Sequence, residues 1–306
     1  MTDCVLQCLP SAAREARQLA GRLGLGMSTI AVHRFPDEEL RVTVGQAAAT
    51  TIVYTPLDRP SDKLLSILFA AEALRRGGAK RLVLVAPYLC YMRQDIAFHA
   101  GEAISQKVIG PLLAEAFDRV VTVDAHLHRT KNIADVFQGI EAQDLSAMPA
   151  IHDALRMSGL DPATVVVGPD AESEPWVAEL ADLLGAAHMV ARKVRRGDRV
   201  VEVAFPDPAL LRGRPVLLVD DIVSSGGTLT ACARALLAAG SKAIDVVVTH
   251  ALFPPEMIRK FHEAGIRSIR STTSVPHPSN AIALDGLLAR ALLGEAGLTE
   301  LPELPR

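Results

Sequence analysis

Residues 216–229 read VLLVDDIVSSGGTL. Val216, Leu217, Leu218 and Val219 form an unbroken apolar run behind Pro215, the pattern of a strand buried on both faces of a parallel sheet. The strand is expected to end at Asp220. Asp221 follows, and Ser224, Ser225, Gly226, Gly227 and Thr228 lead into an alanine-rich apolar pattern over 229–239 that predicts a helix. In an open α/β sheet, ligands sit beyond the carboxyl ends of the strands. A small hydroxyl- and glycine-rich turn before a helix presents bare N–H groups and a positive dipole end there, which makes a phosphate cradle. The two carboxylates can accept hydrogen bonds from sugar hydroxyls or hold Mg2+ through water. Acids beside such a cradle suit a sugar phosphate.

At 306 residues the chain has room for two domains, each with its own core. Hydrophobic residues make up 49% and charged ones 22%, with a single Trp, so a folded chain with an aliphatic interior is expected rather than a disordered one. The formal net charge of -3, without a long basic run, gives no electrostatic reason to expect a nucleic-acid or membrane-surface partner. Cys4, Cys8, Cys90 and Cys232 show neither a CxxC pair nor a Cys/His metal spacing and read as reduced core thiols. With no signal-peptide pattern and no span-length apolar run, a cytoplasmic chain is expected.

Outward from the central stretch, strand and helix patterns alternate, which predicts mostly parallel sheets flanked by helices. Strands are expected at 5–9, 29–35, 51–55, 81–86, 120–123, 164–167, 188–191, 200–204 and 244–249, and a short one near Ile269. Helices are expected from Ser11 to about Gly24, then over 61–76, 104–117, 150–158, 229–239, 255–263 and 282–293, with one more running to Leu184. Polar groups recur at strand ends. Residues 87–95 read PYLCYMRQD, an aromatic pair with an Arg and an amide able to stack on a purine and to pair with its phosphates. Asp124, His126 and His128 follow another strand. With no third and fourth ligand nearby, a Mg-nucleotide contact is preferred there over zinc. Asp170 and Glu172, Ser173 and Glu174 follow a third strand, and 192–199 is a basic loop with five cations in eight residues.

These landmarks, in this order, resemble the ribose-phosphate diphosphokinase (PRPP synthetase) family across nearly the whole chain. Phe35, Asp37 and Glu39 fall on that family's amino-terminal F-x-D-x-E flag, which reaches adenine across a subunit interface. PYLCYMRQD is similar to its PY-x-x-Y-x-RQD loop, so the resemblance implies ATP contacts for Arg93, Gln94 and Asp95. His126 matches the histidine near the ATP phosphates and Mg2+, and Asp170 the acid that helps hold metal and sugar phosphate. Lys193 and Arg195 fit the catalytic K-x-R loop. Asp220, Asp221, Ser224, Ser225, Gly226, Gly227 and Thr228 fit the ribose 5-phosphate loop.

The resemblance implies two phosphoribosyltransferase-like α/β domains, 1–147 and 148–281, with 282–306 returning to the first. It implies transfer of the β,γ-diphosphoryl group of MgATP to the C1 hydroxyl of ribose 5-phosphate, giving PRPP and AMP, by a homo-oligomer, dimer or hexamer. Two departures stand out: Glu172 and Ser173, followed by Glu174, replace a glycine pair; and Ser224 stands where the family often carries a further Asp, while His128, Arg129 and Thr130 replace its glutamine-containing continuation. A non-catalytic synthetase-associated homologue and a phosphoribosyltransferase remain the alternatives.

Overall fold

The computed structural model describes residues 3–196 and 200–301, with backbone alone over 193–196 and 200–202. The chain forms two compact units, one running up to Leu145 and resuming at Leu284, the other Ser146–Ala283.

In the first unit β1 (Cys4–Cys8), α1 (Ala13–Leu23), β2 (Gly26–Thr29), β3 (Ala31–Arg34), β4 (Leu40–Thr43) and β5 (Thr50–Tyr54) are followed by α2 (Pro60–Arg76), β6 (Arg81–Ala86), α3 (Ser105–Ala116), β7 (Arg119–Val123) and β8 (Glu141–Leu145). Six of these strands make a parallel sheet in the order β2-β1-β5-β6-β7-β8, and β3 and β4 form a separate antiparallel hairpin.

The second unit repeats that plan. After α4 (Met148–Ser158) come β9 (Val165–Gly168), α5 (Glu174–Leu184), β10 (His188–Val190), β11 (Arg192–Arg196), β12 (Val200–Ala204), β13 (Pro215–Val223), α6 (Gly227–Ala238), β14 (Ala243–Ala251), α7 (Met257–Glu263), β15 (Ile266–Thr272) and β16 (Asn280–Ile282). The parallel order is β10-β9-β13-β14-β15-β16, and β11 and β12 pair as the antiparallel hairpin. β1 thus corresponds to β9, β5 to β13, and the β3–β4 hairpin to β11–β12. Even the flanking helix has a counterpart, since α4 packs on α5 and α8 (Asp285–Ala291) packs on α1.

The core strands carry the burial that their sequences promise. Val216, Leu217, Leu218 and Val219 are all at most 1% exposed; burying each such side chain contributes about 1.5–3 kcal/mol. Several expectations are corrected. The strand expected over 29–35 is two, β2 ending at Thr29 in the parallel sheet and β3 beginning at Ala31 in the hairpin, and the basic loop expected over 192–199 carries strand β11 over Arg192–Arg196, because the two segments pair with different neighbours. β13 does not stop at Asp220 but continues to Val223, because pairing with β14 runs on through Asp220↔Val248 and Ile222↔His250. Residues 280–282 are a strand, and the last helix begins only at Asp285. β8, whose sequence is EAQDL, was not expected: it is a polar edge strand with no apolar alternation to announce it.

Candidate active site

In the second unit the chain winds outward from β9 in both directions, so the sheet's topological switch lies between β9 and β13. Ligands of doubly wound sheets bind beyond the strand ends at such a point. Asp170 follows β9, and Asp220 and Asp221 lie near the end of β13. Asp221 is 3% exposed and Asp220 half-buried. Burial, reinforced by the negative charges of Asp221 and Asp170, pushes the Asp220 carboxyl well above the usual carboxylate range. The crevice therefore concentrates negative charge that a cation or a set of hydroxyl donors would relieve.

Beside these acids the chain turns into α6. Gly226 has φ 74° and is buried, whereas Ser224, Ser225, Gly227 and Thr228 are exposed. Thr230 closes the first turn, its N–H at 2.9 Å and its hydroxyl at 2.8 Å both donating to the Gly226 carbonyl. The first N–H groups of α6 have no intrahelical acceptor and lie on this exposed turn, as an anion cradle requires. A cavity of about 400 Å3 flanks it, lined by Ser225, Gly227, Thr230, Arg234, Met257 and Lys260. Its two cations carried no motif signal in the sequence, because they sit inside ordinary helical patterns.

The loop after β9 explains one departure. Asp170 Oδ1 accepts from the Glu172 N–H at 3.2 Å, and the Ser173 hydroxyl donates to the Asp170 carbonyl at 2.6 Å. Ser173 is 1% exposed and fills the space over Gly168, where an added Cβ would fall 2.1 Å from its Oγ. Its hydroxymethyl group thus packs inward against the end of β9. Glu172 and Glu174 are exposed, and Glu174 lies 3.9 Å from His188 Nε2.

In the first unit the corresponding switch, between β1 and β5, is occupied by the chain itself: Leu9, Thr55, Pro56 and Leu57 are buried there. The expected nucleotide residues instead follow the neighbouring strands β6 and β7. Arg93 is exposed, Gln94 accepts a 2.7 Å hydrogen bond from the Ser105 hydroxyl, and Asp95 is buried. Both Asp95 oxygens are engaged by Arg129, one by its guanidinium at 2.8 Å and the other by its N–H at 3.0 Å. The Arg129 guanidinium also lies 5.9 Å from the Phe98 ring centroid, and Thr130 donates to Gln106 at 2.9 Å. The second departure is therefore a latch between the two loops. His126 and His128 stack with centroids 6.3 Å apart, just past Asp124, whose φ of 40° turns the chain sharply after β7.

On the β3–β4 hairpin, Phe35, Asp37 and Glu39 are exposed at the tip. Phe35 is braced by His33 edge-on at 4.7 Å and by the Arg41 guanidinium 5.7 Å from its centroid. Lys193 and Arg195 lie on β11, but their side chains fall outside the described residues. Among the described residues no three His, Cys, Asp or Glu side chains form a ready-made metal cluster. Asp170, Asp220 and Asp221 offer the hard oxygen donors that suit a divalent cation such as Mg2+.

Residues 5–116 match the family profile described as the N-terminal domain of ribose phosphate pyrophosphokinase, and 151–281 match the phosphoribosyl transferase domain. The ribose-phosphate pyrophosphokinase of Methanopyrus kandleri is 30% identical over 285 residues, covering 92% of this chain and 96% of that one. Ribose-phosphate pyrophosphokinase 2 of Archaeoglobus fulgidus is 31% identical over 285 residues, covering 93% and 98%. The crystal structure of phosphoribosylpyrophosphate synthetase from Mycobacterium smegmatis superposes with a TM-score of 0.81 at 24% identity over 94% of this chain and 97% of that one, and so has the same fold. With relatives matched from end to end at this identity, the chain belongs to the ribose-phosphate pyrophosphokinase family.

Proposed function

We propose that this protein is a ribose-phosphate diphosphokinase, which transfers the β,γ-diphosphoryl group of MgATP to the C1 hydroxyl of ribose 5-phosphate and yields PRPP and AMP. The observation that carries this reading is the pairing, at one sheet switch, of an acid cluster with an exposed helix N-terminus. The α6 turn, with Ser224, Ser225, Gly226, Gly227 and Thr228, holds the 5-phosphate through N–H and hydroxyl donors. Asp220 and Asp221 accept hydrogen bonds from the ribose hydroxyls and orient the ring. Arg93 and Gln94 bind the nucleotide, Asp95 holds their loop through Arg129, and His126 stands by the polyphosphate.

Phosphoryl-type transfer depends on positioning and charge neutralisation. Lys193 and Arg195 on the β11–β12 hairpin supply positive charge to the transferring group. In the second unit Asp170 would hold Mg2+, which neutralises polyphosphate charge when bound, and in the first unit His126 would contact the Mg-nucleotide phosphates. Phe35, Asp37 and Glu39, exposed on a hairpin outside the sheet, reach the adenine of a neighbouring copy. Assembly is supported by the exposed apolar pairs Leu65 and Phe69 on α2 and Val108 and Leu112 on α3.

The test is phosphorus NMR of purified protein with MgATP and ribose 5-phosphate. AMP and PRPP in equal amounts are expected. Binding of ribose 5-phosphate without either product, across phosphate and Mg2+ concentrations, would give the regulatory homologue the stronger case. Light scattering should report at least a dimer.

A further inference from the structure

The turn into α6 rests on a buried aromatic stack. Gly226 lies directly over Phe261: a Cβ added to it would fall 2.5 Å from two ring carbons, Cε1 and Cζ. Phe261 is fully buried and meets Phe253 edge-on with centroids 5.1 Å apart. Phe253 in turn packs against His277 at 4.4 Å. Hydrogen bonds determine the His277 tautomer. Its Nδ1 lies 3.1 Å from the Ser279 N–H, which can only donate, so Nδ1 is the acceptor and Nε2 carries the proton to the Phe253 carbonyl at 3.0 Å. Burial holds His277 below the usual histidine range, which keeps the ring neutral. The Asn280 side chain completes the turn by accepting from the His277 N–H at 2.9 Å. On the other side, the Leu252 N–H donates to Val223 at 2.9 Å, where the phosphate turn begins.

We propose that Phe261, braced by Phe253 and the neutral His277, is a positioning residue that sets the height and tilt of the Gly226 turn, and with it the N–H groups that grip the sugar phosphate. The proposal rests on the ribose 5-phosphate reading of that turn. An aromatic plate beneath a left-handed glycine leaves the turn one place to sit, whereas a smaller side chain there lets it sink and spreads the donors.

The experiment measures ribose 5-phosphate affinity by calorimetry, and KM for each substrate, in wild type, Phe261→Leu, Phe261→Ala, His277→Ala and His277→Gln. Phe261→Leu and His277→Ala should weaken ribose 5-phosphate binding by about tenfold and leave the ATP KM within about twofold. His277→Gln, whose amide keeps one donor and one acceptor, should recover most of the loss. Phe261→Ala should bind most weakly; if it does not fold, the leucine and histidine variants decide alone. Variants that melt earlier yet bind ribose 5-phosphate like wild type would overturn the positioning role. Wild-type protein that binds no ribose 5-phosphate would instead remove the reading of the turn on which the role depends.

Discussion

Arg129 shows how much one side chain changes the meaning of its neighbours. Asp95 belongs to a segment expected to touch nucleotide, yet its side chain is 2% exposed and bonded twice to Arg129. It anchors the loop on which Arg93 and Gln94 are displayed. Arg129→Met would remove the guanidinium and leave the buried carboxylate only the residue 129 N–H, at a cost of about 2 kcal/mol once the half-exposed guanidinium is discounted. Urea unfolding should register that cost, and the ATP KM should rise while ribose 5-phosphate binding holds. Adding Asp95→Asn to Arg129→Met should recover part of the stability, because the stranded charge is gone. Lys193 belongs to the opposite category. Lys193→Ala should keep the melting temperature and both substrate affinities near wild type and lower kcat by about a hundredfold or more, as the role proposed for this cation requires. An unchanged kcat would remove this lysine from the mechanism.

At the scale of an element, the β9 end and its following turn behave as one packed unit. Ser173 occupies the space that Gly168 leaves open, with Val190 Cγ1 next nearest at 2.8 Å from an added Cβ. Gly168→Ala should destabilise the second unit by about 1–3 kcal/mol through overpacking. Combining it with Ser173→Gly should recover part of that loss, and a double-mutant cycle from melting curves measures the coupling. Failure of the second change to help would mean that Val190 sets the limit. β13 teaches a related lesson. Its apolar half is plain in the sequence, but the strand reads as ending at Asp220, because burying two acids within a strand is costly. Only the partner strand β14 reveals that the ladder continues through them, since a ladder depends on a neighbour remote in sequence.

At the scale of the whole chain, the returning segment after Leu284 is held to the first unit by an ion-pair cluster. Glu295, 7% exposed, pairs with Arg81 at 2.7 Å and with Arg119 at 3.0 Å. Burial alone would raise its pKa, but the hydrogen bonds from the two arginines outweigh it and hold the carboxyl below the usual range. A depressed carboxylate contributes stability that is fully present above the unfolded pKa and lost as pH falls through the folded one. Glu295→Gln should therefore cost about 2 kcal/mol near neutral pH, discounted for the partly exposed Arg81. It should also flatten the fall in stability on the acid side of about pH 4.5. Equal melting temperatures at pH 7 and an unchanged acid limb would show that the cluster is thermodynamically neutral. The Cys4 thiol, pushed up to about 11 by burial and by the Glu295 and Asp3 charges, should stay unreactive toward thiol reagents at neutral pH.

The parallel sheets and the phosphate turn were legible from local sequence. Runs such as 216–219 and 82–86 read as strands buried on both faces, and a hydroxyl-glycine turn before a helix has few other backbone solutions. The family relationship was legible from the order of short motifs. Tertiary structure alone decided the rest: the element-by-element repeat of the two units, the polar edge strand β8, the inward packing of Ser173, the Arg129 latch on Asp95, and the stack under Gly226. Each of these depends on a contact between residues far apart in sequence, or on which side of a strand a side chain meets its neighbour. Residue type and local spacing carry no record of either.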